Sequence, residues 1–251
     1  MHRSLAAAKE QLKKGKSQDA GGRNYEQTWQ KVNDQEILCN NSSPTGDEEF
    51  DRVGYKIVRN ICPVELLVTD VPDVRGQLNY NTSDPAKYDY TPDEAQVPDS
   101  VARYTHPFYR KAFSLVKKNI EKSIGQSLYK TYYYDRFYFP GQDLKYHNDR
   151  DSCEISVTIH CSRNLKDKWP ICIKAVDGSV TEADLKPGDG LIYKGCERPH
   201  WRLPMPGVRR NKIRKFFNME EYYYHQIFFH YVLSNGTRSE FAGDKGKFNW
   251  S

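Results

Sequence analysis

Three residues, two of them close in sequence and the third about 50 positions on, could hold one metal ion: His147, Asp149 and His200. The first two lie in Tyr138-Phe-Pro-Gly-Gln-Asp-Leu-Lys-Tyr-His147-Asn-Asp149, where a Pro-Gly turn ends one apolar run before a His and an Asp follow two positions apart. On extended backbone, residues i and i+2 point to the same face, so an imidazole and a carboxylate can meet the same ion. The third lies in Arg198-Pro-His200-Trp-Arg202. Between them, Leu185-Lys-Pro-Gly-Asp-Gly-Leu-Ile-Tyr193 makes a tight turn into an apolar strand, which gives the third ligand a rigid approach. A lone histidine is more often a surface or core residue than a ligand. The metal reading of His147, Asp149 and His200 therefore rests on the three stretches together.

Two imidazoles and one carboxylate on one face leave three coordination positions open, which is the facial triad of non-haem Fe(II) chemistry. Zinc hydrolases more often use three imidazoles, or two with a Glu on a helix, and the chain has no HExxH. Residues from about 133 to 232 resemble the catalytic core of the Fe(II)/2-oxoglutarate-dependent dioxygenase superfamily, nearest its prolyl 4-hydroxylase-like branch. Tyr138-Phe-Pro-Gly with His147-Asn-Asp149 is similar to that branch's Tyr-x-x-Gly and HxD motifs. The stretch 155–161 resembles the strand that follows, and 185–193 resembles its PxxGD-type strand. The resemblance implies a double-stranded β-helix (jelly roll) with Fe(II) at one open end on the catalytic residues His147, Asp149 and His200. It implies 2-oxoglutarate and O2 as cosubstrates, ascorbate as an optional reductant, and release of succinate and CO2. Halogenating relatives lack the carboxylate ligand, so Asp149 points to hydroxylation, desaturation or cyclisation of a C–H bond.

The family usually binds the far (C5) carboxylate of 2-oxoglutarate with an Arg or Lys on the last core strand. Here the last strand, His225-Gln-Ile-Phe-Phe-His230-Tyr-Val, carries neither, and residues 208–224 read as an insertion. Arg202 is the first candidate anchor, being two positions from His200 and hence on its face, with a guanidinium suited to bidentate carboxylate binding. Lys174, in Ile171-Cys-Ile-Lys-Ala, is the second, although a Lys ending a strand usually reaches for water. Arg210 falls in a basic loop. Tyr138 is a candidate to line the cosubstrate pocket, with core packing as the plain alternative. His160, Ser162, Trp201, His225, His230 and the 222–224 tyrosine run read as core or strand-face residues.

The elements that must position these groups follow from periodicity. Short strands are expected at 132–139, 155–161, 171–175, 190–193, 200–203 and 225–233, separated by Gly, Pro, Asn and Asp turns. Upstream, 106–124 repeats apolar residues at helical spacing and ends at Gly125. A strand is expected at 55–58, a short helix at 63–69, and an irregular stretch at 76–98. Helices first and closely spaced strands afterwards make the fold class α+β, mainly β: a double-stranded β-helix core at about 132–233 supported by N-terminal helices. Residues 1–49 read as a polar tail or arm, and 50–251 as a single oxygenase domain.

The bulk numbers agree with a globular enzyme and identify no partner. Of 251 residues, 37% are hydrophobic and 28% charged, with a net charge of +5. The basic runs at 9–16 and 209–215 read as solvated faces, which makes nucleic acid an unexpected partner. No stretch approaches a membrane span, no signal peptide is recognisable, and the six cysteines form no CxxC pair. The expectation is an intracellular, cytoplasmic protein with free thiols, acting on a peptide, amino acid or small metabolite, in an oligomeric state left open. Two other readings stay open: a cupin-like metal enzyme that does not use 2-oxoglutarate, and a non-catalytic binding module of the same fold.

Overall fold

Core strands taken alternately from two facing sheets enclose the site. The computed structural model describes residues 43–250, so most of the expected N-terminal arm lies outside the described residues. Helix α1 (Glu48–Val53) is capped by the Asp47 side chain, which accepts from Phe50 N, and ends at left-handed Gly54. Strands follow at β1 (Tyr55–Val58), β2 (Gly76–Tyr80), β3 (Tyr88–Thr91) and β4 (Val101–Tyr104). Helix α2 (Arg110–Ile124) then leads into β5 (Leu128–Tyr138), β6 (Leu144–His147), β7 (Ile155–Arg163), β8 (Ile171–Lys174), β9 (Val180–Ala183), β10 (Gly190–Lys194) and β11 (His200–Arg202). A short helix, α3 (Val208–Phe216), precedes the last strand, β12 (Tyr224–Leu233).

The large sheet has the order β1-β10-β7-β12-β5-β4-β2-β3 and the small one β6-β11-β8-β9. All pairs are antiparallel except β2 with β4. From β5 onward the chain passes back and forth between the sheets, with β8 and β9 forming a hairpin within the small one, which is the connectivity of a double-stranded β-helix. One face of the large sheet carries Val157, Ile159, Ile227 and Phe229 against Phe113, Val116 and Ile120 of α2. The opposite face looks into the barrel, where Ile171 and Ile173 of the small sheet meet Leu191 and Tyr193 of the large one.

Three expectations change. The stretch 76–98 contains the β2–β3 pair, hidden in sequence because β3 is only four residues long, exposed along its whole length and flanked by turn-forming Asn, Asp, Ser and Pro. Helix α2 starts later than expected, because Pro107–Tyr109 forms a separate 3₁₀ turn. Only Val64–Leu66 of the short helix expected at 63–69 is helical, again as a 3₁₀ turn. Among the described residues no helix is long and apolar enough to cross a membrane. The five described cysteines are free.

Candidate metal centre

His147 ends β6 and His200 begins β11, and the register sets them directly opposite each other, with ring centroids 4.2 Å apart. Asp149 lies two residues past His147, where its N–H donates to Gly195 O at 2.9 Å. Its Oδ1 is 3.7 Å from His147 Nε2 and 3.6 Å from His200 Nε2. One ligand atom from each of the three residues thus lies within 4.8 Å of the others.

Backbone carbonyls set the imidazole tautomers. His147 Nδ1 donates to Lys145 O at 2.7 Å and His200 Nδ1 to Arg198 O at 3.0 Å, which leaves both Nε2 lone pairs facing the shared space. Burial pulls both imidazoles down to about 4, and for His147 the neighbouring His200 adds to the effect. Both rings are therefore neutral near pH 7. Burial raises the Asp149 carboxyl, although His147 and the Ser156 hydroxyl work in the opposite sense. Ser156 Oγ donates to Asp149 Oδ2 at 2.9 Å and also lies 2.9 Å from His230 Nδ1. Gly195 must be glycine here, since a Cβ would stand 2.2 Å from Cys153 O and 2.6 Å from Asp149 Oδ2. Two neutral nitrogens and a carboxylate oxygen on one side of an enclosed space suit a divalent first-row cation with open positions.

Deeper in the barrel, Arg202 is fully buried. One Nη donates to Trp169 O, and the guanidinium lies over the rings of Trp169 at 4.6 Å and Tyr224 at 4.8 Å. Its Nε and second Nη have no hydrogen-bond partner among the described residues. A buried cation with unmatched donors and no carboxylate beside it fits an anionic ligand. His160 stacks on Tyr224 at 4.2 Å, and Tyr138 packs edge-on to Trp169 at 4.9 Å, so both pack against the rings that flank Arg202.

Lys174 does not reach this site. Ile173 pairs with His200 and packs inward, so strand alternation turns Lys174 to the outer face, beside the row that buries Cys172 and Trp201. The run Ile171-Cys-Ile is apolar on both faces, and that concealed the alternation. Arg210 is also outside, paired with Asp167 on the surface.

Besides Ser156, sequence reasoning missed three residues beside the triad. Arg136 is fully buried on the inward face of β5, donating to Glu94 Oε1 at 2.9 Å and to Gln96 Oε1 at 2.8 Å. Gln96 Nε2 in turn lies 3.3 Å from His147 Nε2. Arg136 could have been found, because alternation places it between Tyr134 and Tyr138 within an aromatic strand. Glu94 and Gln96 sit in a loop whose sequence carries no such signal.

No protein-family model matches the chain, and no curated protein matches it. Among solved structures, a prolyl hydroxylase from Trichoplax adhaerens, in complex with a hypoxia inducible factor oxygen degradation domain peptide fragment, superposes with a TM-score of 0.51 at 13% identity, covering 82% of this chain and 93% of that one. A Pseudomonas putida prolyl-4-hydroxylase gives 0.48 at 15% identity, covering 73% and 95%. HygX from Streptomyces hygroscopicus, with nickel, 2-oxoglutarate and hygromycin B bound, gives 0.48 at 10% identity, covering 74% and 86%. At these identities the likeness is one of architecture: the chain has the double-stranded β-helix fold of the 2-oxoglutarate–Fe(II) oxygenases.

Proposed function

We propose that the protein is an Fe(II)- and 2-oxoglutarate-dependent oxygenase that hydroxylates, desaturates or cyclises at a C–H bond of an amino acid, peptide or small metabolite. The observation that carries this reading is the pairing, in one barrel, of the His147–Asp149–His200 cluster with the unmatched donors of buried Arg202. Bound Fe(II), 2-oxoglutarate and O2 would supply the oxidising chemistry, with succinate and CO2 leaving as coproducts. The chain's own work is positioning. His147 and His200 present neutral Nε2 atoms whose direction is fixed by the Lys145 and Arg198 carbonyls, and Asp149 offers Oδ1 while Ser156 holds Oδ2. Arg202 would bind the far carboxylate of 2-oxoglutarate through Nε and Nη, with the Trp169 and Tyr224 rings excluding water from the contact.

Anaerobic titration with Fe(II) followed by 2-oxoglutarate tests this. A weak visible charge-transfer band should form in the wild type and be missing in His147→Ala. Arg202→Gln should keep its metal and bind 2-oxoglutarate about 10- to 100-fold more weakly, the loss expected for hydrogen bonds to a charged group. Iron binding with no band at any 2-oxoglutarate concentration would point to a metal enzyme without this cosubstrate. Absence of metal binding would point to a binding module.

A further inference from the structure

The barrel interior holds a second arginine, and its surroundings differ from those of Arg202. Arg136 lies over the rings of Tyr134 and Tyr138, at 5.3 and 5.6 Å, and its counter-ion comes from outside the barrel. Glu94 belongs to the loop joining β3 to β4, and its other oxygen, Oε2, accepts from Val97 N. A carboxylate thus sits on one guanidinium and one backbone N–H. Two residues further on, Gln96 bridges Arg136 to the ligating nitrogen of His147. On their other side Glu94 and Gln96 line a cleft of about 480 Å³ that also includes Tyr104, Tyr132 and Arg150, a volume suited to a small molecule.

We propose that Arg136 is a binding site for a carboxylate of the substrate, and that Glu94 occupies it as a built-in stand-in until a small acid enters from the cleft. A fully buried guanidinium keeps its charge, so Glu94 can leave at low cost only when another anion replaces it. Exchange of carboxylate for carboxylate keeps the interior neutral, whereas a neutral analogue would strand the cation. The exchange also draws Gln96 away from His147 Nε2, which couples acid binding to exposure of the metal face. The substrate class that follows is a small carboxylic or amino acid bearing a free carboxylate, rather than an internal residue of a peptide. The proposal rests on the oxygenase reading only in calling that acid a substrate.

All arms of the test but the last use metal-free protein without 2-oxoglutarate, so their outcome is separate from the iron and 2-oxoglutarate titrations. Glu94→Ala removes the carboxylate and leaves a hole that propionate can refill. Propionate should raise the Tm of Glu94→Ala by several degrees and bind it about tenfold or more tighter than wild type. Propionamide should do neither, and Glu94→Ala/Arg136→Gln should lose the response. In the wild type, propionate but not propionamide should accelerate hydrogen exchange at the Val97 amide. If Glu94→Ala does not fold, Glu94→Gln removes the charge while keeping the shape, and propionate, but not propionamide, should then displace the neutral side chain from Arg136 and raise the Tm. Equal responses to acid and amide, or a response that survives Arg136→Gln, would overturn the proposal. So would expulsion of propionate by stoichiometric 2-oxoglutarate in a Mn(II)-loaded sample, since Arg136 would then be the cosubstrate's own anchor.

Discussion

Asp149 is the ligand candidate least fixed by regular structure, because it lies beyond the end of β6. Its carboxylate depends on the Ser156 hydroxyl and on the space left by Gly195. Ser156→Ala should weaken Mn(II) binding about 10- to 100-fold, the range for loss of a group that orients a ligand. Gly195→Ala should do worse, since its Cβ would collide with the Cys153 carbonyl as well as with Asp149. Equilibrium titration of metal-free protein followed by electron paramagnetic resonance checks both, and wild-type affinity in both would sink the assignment of Asp149. The triad candidates were legible in sequence because each sits beside its own turn chemistry, and Arg202 because it shares the alternation of His200. Ser156, Glu94 and Gln96 were not legible. Their roles come from contacts across strands and loops, 7 positions apart for Ser156 with Asp149 and 51 for Gln96 with His147, which no local pattern encodes.

At the level of elements, α2 packs against the outer face of the large sheet. Ile120 is fully buried between them, so Ile120→Ala should cost about 2–5 kcal/mol of unfolding free energy, the range for truncating a large aliphatic core side chain. The helix covers the face of the sheet turned away from the triad, so metal affinity should stay at the wild-type value. Urea unfolding and metal titration of the same variant measure the two separately. A loss under about 1 kcal/mol would mean that the helix is not part of the core. The elements that sequence showed well, α2, β5, β7 and β12, are long and keep their period over several turns or repeats. Strand β5 exceeds its expected span at the N-terminal end because β12 pairs with it from Leu128 onward, and that partner is supplied by residues far along the chain. Strands β4, β6 and β9 have four residues each, and none carries an apolar run like that of β1 or β8 to mark it. They exist because neighbours complete their ladders.

For the molecule as a whole, the consequence of burying so many histidines is acid sensitivity. His106, His147, His160, His200, His225 and His230 all lie below the ordinary imidazole value, in each case chiefly through burial: about 4 for His106, His147 and His200, and about 3 for His160. A group whose folded pKa is depressed binds fewer protons folded than unfolded, so between the folded value and about 6.5 stability rises with pH and is lost on acidification. Two carboxyls act the other way, since burial raises Asp149 and Glu154 and their protonation relieves a buried charge. Asp135 does not share the histidine window. Burial disfavours its charge, but Arg103, at 2.5 Å, and His225, at 2.8 Å, more than compensate and hold it well below the usual carboxylate range. Six depressed imidazoles outweigh two raised carboxyls, so metal-free protein should lose thermal stability continuously from about pH 6.5 towards pH 4. His160→Gln removes one titrating group away from the triad and should make that decline shallower. A Tm constant across the interval would mean that the folded barrel admits charged imidazoles, and then His147 and His200 could not be counted on as neutral ligands in weak acid.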